Sequence, residues 1–109
     1  KDPGGGWQRS ITTLTFSVYH DTEAVYTWDC PISIEMPMRT KALGTISLSR
    51  ASLWTTEAAN TAVGLVRDSR DDPDAWIGVG VLFCDELRTR MESQLNNHHK
   101  GLGARVKKP

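Results

Sequence analysis

Leu14, Phe16 and Val18 alternate with Thr13, Thr15 and Ser17 near the start of the chain. A period of two in β-branched and aromatic company predicts a strand with one wet face. His20-Asp21-Thr22-Glu23 breaks the alternation with turn-prone residues, and Val25, Tyr26, Thr27 and Trp28 resume it. The pattern predicts a hairpin. Pro31 then punctuates the chain, after which Ile32, Ile34 and Met36 alternate with Ser33 and Glu35. These residues predict another short strand, ended or pushed to a sheet edge by Pro37, because proline has no N–H for the ladder. Residues 31–40 are therefore the expected edge, and 43–48 are a fourth strand candidate.

From Thr55 the period changes. Ala59, Ala62, Val63 and Val66 recur at spacings of three and four, and Glu57 stands in the first turn, where a helix dipole favours an acid. The spacing predicts a helix over about 55–67. Gly64 inside it costs about 1 kcal/mol relative to alanine, which points to close packing or to an earlier helix end. A charged loop, 68–74, follows and contains Pro73. The run Trp76-Ile77-Gly78-Val79-Gly80-Val81-Leu82-Phe83 reads as a buried strand at the centre of a sheet. A last helix is expected to start at Asp85, with Leu87, Met91 and Leu95 on its apolar stripe, and to end near Asn96-Asn97. Strands first, then helix, strand and helix, is the order of an α+β domain: an antiparallel or mixed β-sheet with about two helices packed against it.

Composition adds limits. At 109 residues the chain fits one domain, expected to span 1–109 with a flexible segment 1–6 and a basic tail 98–109. Its 39% apolar residues, 24% charged residues and four tryptophans describe a globular protein. Thirteen basic and thirteen acidic residues cancel, so no global field steers the molecule toward nucleic acid or anionic lipid. The local exception is the C-terminus, where Lys100, Arg105, Lys107 and Lys108 follow His98 and His99 without an acid. No apolar run reaches the roughly 18 to 20 residues of a membrane span. Two cysteines are too few for a disulfide scaffold, which favours an intracellular setting with both thiols reduced, although one disulfide stays open. The start at Lys1-Asp2-Pro3-Gly4, without methionine, is compatible with a core excised from a longer protein.

Candidate chemistry is sparse. Cys84 at a strand–helix junction is the one thiol a helix dipole would activate, and His20 is its one candidate base early in the chain. Such cysteines are more often core residues. Asp68, Asp71, Asp72 and Asp74 lack the turn glycine and closing glutamate of a calcium loop, and Arg67 and Arg70 compete for their carboxylates. Adjacent His98 and His99 point apart on a helix and cannot share a metal as an i, i+4 pair does. Gly78 and Gly80 precede no phosphate-binding turn; they fit a close backbone approach or a bulge. The tryptophans, without interleaved basic residues, suit core and interface positions better than base stacking. No catalytic residue, metal, cofactor or small-molecule substrate is expected.

Leu14-Thr15-Phe16-Ser17-Val18-Tyr19-His20-Asp21, followed by Trp28-Asp29, resembles the C-terminal strand region of rhabdovirus matrix proteins of the vesiculovirus type. Glu57-Ala58-Ala59 through Gly64-Leu65-Val66, a charged loop, and Ala75-Trp76-Ile77 resemble the helix and tryptophan-bearing strand that close those proteins. The likeness touches about a third of the chain and requires an extra segment over 31–54. It implies a non-enzymatic virion protein that self-associates, condenses ribonucleoprotein and lies beneath an envelope. The family's basic N-terminal arm and proline-containing budding motif have no counterpart in this sequence.

The leading expectation is thus a structural self-assembly domain, found in the virion if the resemblance holds. Its partners are copies of itself and, in the viral setting, ribonucleoprotein or other viral proteins. Ile32, Ile34, Met36, Pro37 and Met38 are the candidate self-association residues. The alternative is nucleic-acid binding, or contact with an anionic membrane surface, through Arg88, Arg90, Lys100, Arg105, Lys107 and Lys108. A small thiol enzyme based on Cys84 stands well behind both.

Overall fold

The computed structural model describes residues 6–39, 56–69 and 71–109, so the strand candidate at 43–48 lies outside the described residues. Strands β1 (Trp7–His20) and β2 (Glu23–Pro37) form a long hairpin, followed by helices α1 (Thr56–Arg67) and α2 (Pro73–His98) and a short strand β3 (Arg105–Lys107). The sheet is antiparallel with order β1-β2-β3. Three strands and two helices make the α+β arrangement that the residue pattern predicts.

The hairpin turns at Asp21, whose φ of 57° lies in the left-handed region that aspartate tolerates better than most residues. Register runs from His20 opposite Glu23 to Trp7 opposite Pro37, with an irregularity between Val18 and Tyr19. Beyond the strands, Met38 N donates to Gly6 O at 2.6 Å. Because hydrogen-bonded and non-bonded pairs alternate along an antiparallel ladder, even-numbered β1 residues turn their backbone groups to β2 and odd-numbered ones turn them away. Pro31 stands opposite Thr13, an odd-numbered position. Its missing N–H is therefore not needed in the β1–β2 ladder. That is why β2 runs through Pro31 as one strand where the sequence suggested two.

The largest correction concerns 76–83. These residues are helical, and α2 begins a dozen residues before the expected start at Asp85. Asp72 is the N-cap, its side chain accepting from Asp74 N at 3.0 Å, and Pro73 occupies the first turn, where its lack of an N–H is harmless. Trp76, Val79, Gly80, Cys84, Leu87, Arg88, Met91 and Leu95 are buried at steps of three, four and one, whereas Ile77 and Val81 are 52% and 59% exposed. The apolar run looked continuous because α2 also carries apolar residues on its outer face. Asp85 is no cap; it pairs with Arg88 at 3.2 Å.

The core has two parts. Cys30, Ile32, Cys84, Leu87, Met91, Leu95, Leu102, Ala104 and Val106 join α2 to the middle of the sheet. Ala62, Leu65, Trp76 and Val79 join the two helices to Val18 and Tyr26 near the hairpin tip. An aromatic series runs between them: Phe83 lies 4.5 Å from Phe16 and 5.2 Å from Trp28, and Tyr26 stacks between Trp28 at 6.0 Å and Trp76 at 5.8 Å, measured between ring centroids. Gly80 lets α2 approach this series, since a Cβ there would meet Trp28 Cγ at 3.2 Å. Among the described residues a Cβ at Gly64 would meet only Arg67 Nη2, at 3.7 Å, and α1 continues to Arg67 rather than ending early. Among the described residues no helix is long and apolar enough to cross a membrane.

Candidate interaction surface

A sheet presents two rows of edge backbone groups, and each must meet a partner or water. On the β3 side α2 supplies the partners. Cys84 Sγ lies 3.8 Å from Asp29 O, and Arg88 donates through Nε and Nη2 to Pro31 O at 3.1 and 2.8 Å. Where β3 takes over as the edge, Glu92 Oε1 accepts from Val106 N at 2.9 Å, and Asn96 both accepts from Ala104 N and donates to Ala104 O. Residues 84, 88, 92 and 96 are successive i, i+4 positions. Four helical residues rise about 6 Å, close to the ~6.8 Å between same-side groups on a strand, so one helix stripe can serve one sheet edge.

The opposite edge belongs to β1. Its odd-numbered residues point N–H and C=O groups away from β2, and among the described residues no hydrogen bond reaches those groups. Ser10, Ile11, Thr12, Thr13, Leu14 and Thr15 are exposed in sequence, on both faces of the strand. The run 10–18 contains no charge, proline or glycine. Natural edge strands are usually protected by such residues.

An apolar groove of about 1300 Å³ opens beside this edge. Leu14, Phe16 and Val18 form its β1 wall, Ala59 and Val63 its α1 wall, and Trp28 and Phe83 part of its floor. Val63 is 63% exposed. Trp28 Nε1–H is buried without an acceptor among the described residues.

The outer face of the sheet is polar. Glu35 lies there, nearly buried, with Arg9 Nη2 at 2.8 Å on one side and Lys107 Nζ at 3.0 Å on the other. The hydrogen bonds from Arg9 and Lys107 hold its carboxyl below the ordinary carboxylate range. Beside it Arg105 lies 4.5 Å over the Trp7 ring, a cation–π contact.

These contacts place the residues singled out in the sequence. Residues 33–35 are no edge, because β3 pairs with them, and Pro31, beyond the reach of β3, has its carbonyl covered by Arg88. Ile32 is fully buried, and Ile34 and Met36 pack against the core. Pro37 O accepts from Gln8 Nε2, and Met38, at 40%, is the most exposed apolar residue of the group. The basic candidates do not form one patch. Arg88 is buried, Arg105 and Lys107 are engaged on the sheet, and Arg90 lines a shallow hollow on the outer side of α2 with Ser93, Asn97 and His98. Lys100 and Lys108 are exposed. The expected tail is partly folded: Leu102, Ala104 and Val106 are buried, and 105–107 are β3.

The thiols are also core groups. Cys30 and Cys84 are both free and buried, and burial first, then the hydrogen bond with Cys84, pushes the Cys30 thiol up to about 12. His20 lies at the end of β1 beside the hairpin turn. Among the aspartates of the charged loop, Asp72 caps α2 and Asp68 pairs with Arg67. The candidate surface missed in the sequence is the β1 edge. Its signal was the uncharged run 10–18, together with the i, i+4 series Cys84, Arg88, Glu92 and Asn96 that serves the other side.

In comparisons with known proteins, the chain matches no family model, no curated protein and no solved structure.

Proposed function

We propose that this chain is a non-enzymatic assembly domain that works by associating with further copies of itself. The observation that carries the reading is the β1 edge, whose outward backbone groups no described residue meets, bordering an apolar groove of about 1300 Å³. An uncharged edge strand offers directional hydrogen bonds to a partner, and the adjoining groove offers apolar surface whose burial drives association at about 25 cal/mol per Å². Four polar side chains serve the fold: Glu92, Asn96 and Arg88 hold the sheet, and Glu35 joins side chains of three strands.

The matrix-protein resemblance supplies a setting for that activity, a viral structural protein that condenses ribonucleoprotein. Its support is the sequence likeness of 14–21 and 28–29, whereas Ala75-Trp76-Ile77, matched to a strand, lies in α2. A reading frame flanked by nucleoprotein and glycoprotein genes would support the viral setting, and a cellular operon would end it. Self-association itself is tested by light scattering across a concentration series. Mass should rise from monomer toward dimer or higher with concentration, and a constant monomer mass would refute the reading.

A further inference from the structure

Charge is unevenly placed on this neutral molecule. Its described extents are 49 × 24 × 20 Å, and α2 runs along the hairpin from Trp76 beside Tyr26, near the tip, to Asn96 beside Ala104, at the open end. The tip end gathers Asp21 and Glu23 at the turn and Asp71, Asp72 and Asp74 at the start of α2. The open end gathers Arg9, Arg39, Lys100, Arg105, Lys107 and Lys108, with Glu35 and Glu92 already engaged there. An antiparallel arrangement of two copies brings opposite poles together, and a parallel one brings like poles together.

We infer that the self-association proposed above occurs by antiparallel pairing of β1 with β1 of a second copy, centred on Leu14, so that two three-stranded sheets become one. The inference rests on that reading of the function and specifies its interface. The centre follows from the two limits of the uncharged run. Arg9 precedes it, the irregularity after Val18 ends the regular strand, and the midpoint of 10–18 is Leu14. In this register Ile11 faces Ser17 and Thr13 faces Thr15 of the other copy. All are odd-numbered positions, whose backbone groups point outward, so each pair can exchange two hydrogen bonds. Leu14 meets its own counterpart in a non-hydrogen-bonded pair. Arg9 stays outside the paired run, and Trp7 comes level with Asp21 of the second copy, placing the basic end of one molecule beside the acidic tip of the other.

A two-fold axis normal to the sheet keeps the helices of both copies on the same side. The two grooves then meet across the new strand pair, with Leu14, Phe16 and Val63 of each copy at the junction. The irregularity between Val18 and Tyr19 ends the regular edge and limits the pairing to this run.

Two variants test the interface. Leu14→Cys, made in a Cys30→Ala background because Cys30 stands opposite Leu14 in β2, places two thiols across a pair whose Cα atoms are about 4.5 Å apart, within disulfide reach. Mild oxidation should give a covalent dimer on a non-reducing gel. Ser17→Cys should not give one, because its counterpart lies six residues out of register, about 20 Å away. Thr13→Pro removes an outward N–H that β2 does not use, so the circular dichroism spectrum should persist while the dissociation constant rises about tenfold or more. A wild-type protein that associates while Leu14→Cys fails to crosslink, or while folded Thr13→Pro still dimerises, overturns this interface and leaves self-association standing. A wild-type protein monomeric at every concentration overturns both.

Discussion

The two edges of this sheet are treated in opposite ways. Along the β3 side a single stripe of α2, residues 84, 88, 92 and 96, reaches backbone groups from Asp29 to Ala104. Along the β1 side no described residue does so, and the strand carries neither charge nor proline across 10–18. The sealed edge lies where α2 packs over β2 and β3, and the bare edge lies where the helical layer parts from β1 to leave the groove. A sheet with one helix long enough to run its length can satisfy one edge in this way. Among the described residues nothing meets the other edge.

That contrast predicts that substitutions on the sealed side are costly to folding and those on the bare side costly to the proposed association. The largest effect is expected for Arg88→Ala, which leaves the Pro31 carbonyl unpaired and removes a packed aliphatic stem. It should lower stability by about 3 kcal/mol in urea denaturation, and Arg88→Met, keeping the stem, should recover about 1 kcal/mol. Loss of less than about 1 kcal/mol in Arg88→Ala would mean that this edge is not sealed by α2. Asn96→Ala, which removes both hydrogen bonds to Ala104, should cost about 1.5 to 2 kcal/mol and raise amide exchange at Ala104 and Val106.

Glu35 sharpens the comparison on the outer face, where it links β1 to β3 across β2. Its folded pKa lies below the ordinary value of 4.5, so the stability from its ion pairs is complete above that value and is lost as pH falls through the folded pKa. Thermal melts below pH 5 should show a shallower acid loss in Glu35→Gln than in the wild type. An unchanged slope would remove Glu35 from the acid response.

Gly78→Ala and Gly80→Ala separate the outer and inner sides of α2. A Cβ at Gly78 meets nothing within 4 Å, so that change should stabilise by about 0.5 to 1 kcal/mol. At Gly80 the same helical gain is opposed by Trp28, and the variant should be the less stable of the two. Smallest in stability is Ile11→Lys, at a residue 60% exposed on the bare edge. Its unfolding free energy should move by less than about 0.5 kcal/mol while its tendency to associate falls sharply in light scattering.

Much of the fold was legible in local pattern. Leu14, Phe16 and Val18 alternate with polar residues, and the turn residues after His20 marked a hairpin that forms where expected. The spacing of Ala59, Ala62 and Val66 gave α1 to within a residue at its start. The run 76–83 misled because Ile77 and Val81 are apolar yet exposed, which erased the helical period and left a stretch that looked like a buried strand. The stronger signal was Asp72-Pro73, an N-cap followed by a first-turn proline. The candidate surface was read less well. Pro31 and Pro37 make Ile32, Ile34 and Met36 look like an edge, and whether a strand is central depends on a distant partner, here β3.

By itself, the sequence determined the hairpin, the first helix and the α+β class, since periodicity, turns and caps act among neighbours along the chain. Tertiary structure decided which edge is sealed and which is bare, and it turned Arg88, Arg105 and Lys107 from free charges into internal partners. The physical reason is that an edge, a groove or an ion pair is a relation between residues far apart in sequence. The closing of α2 over one side of the sheet settles all of them at once.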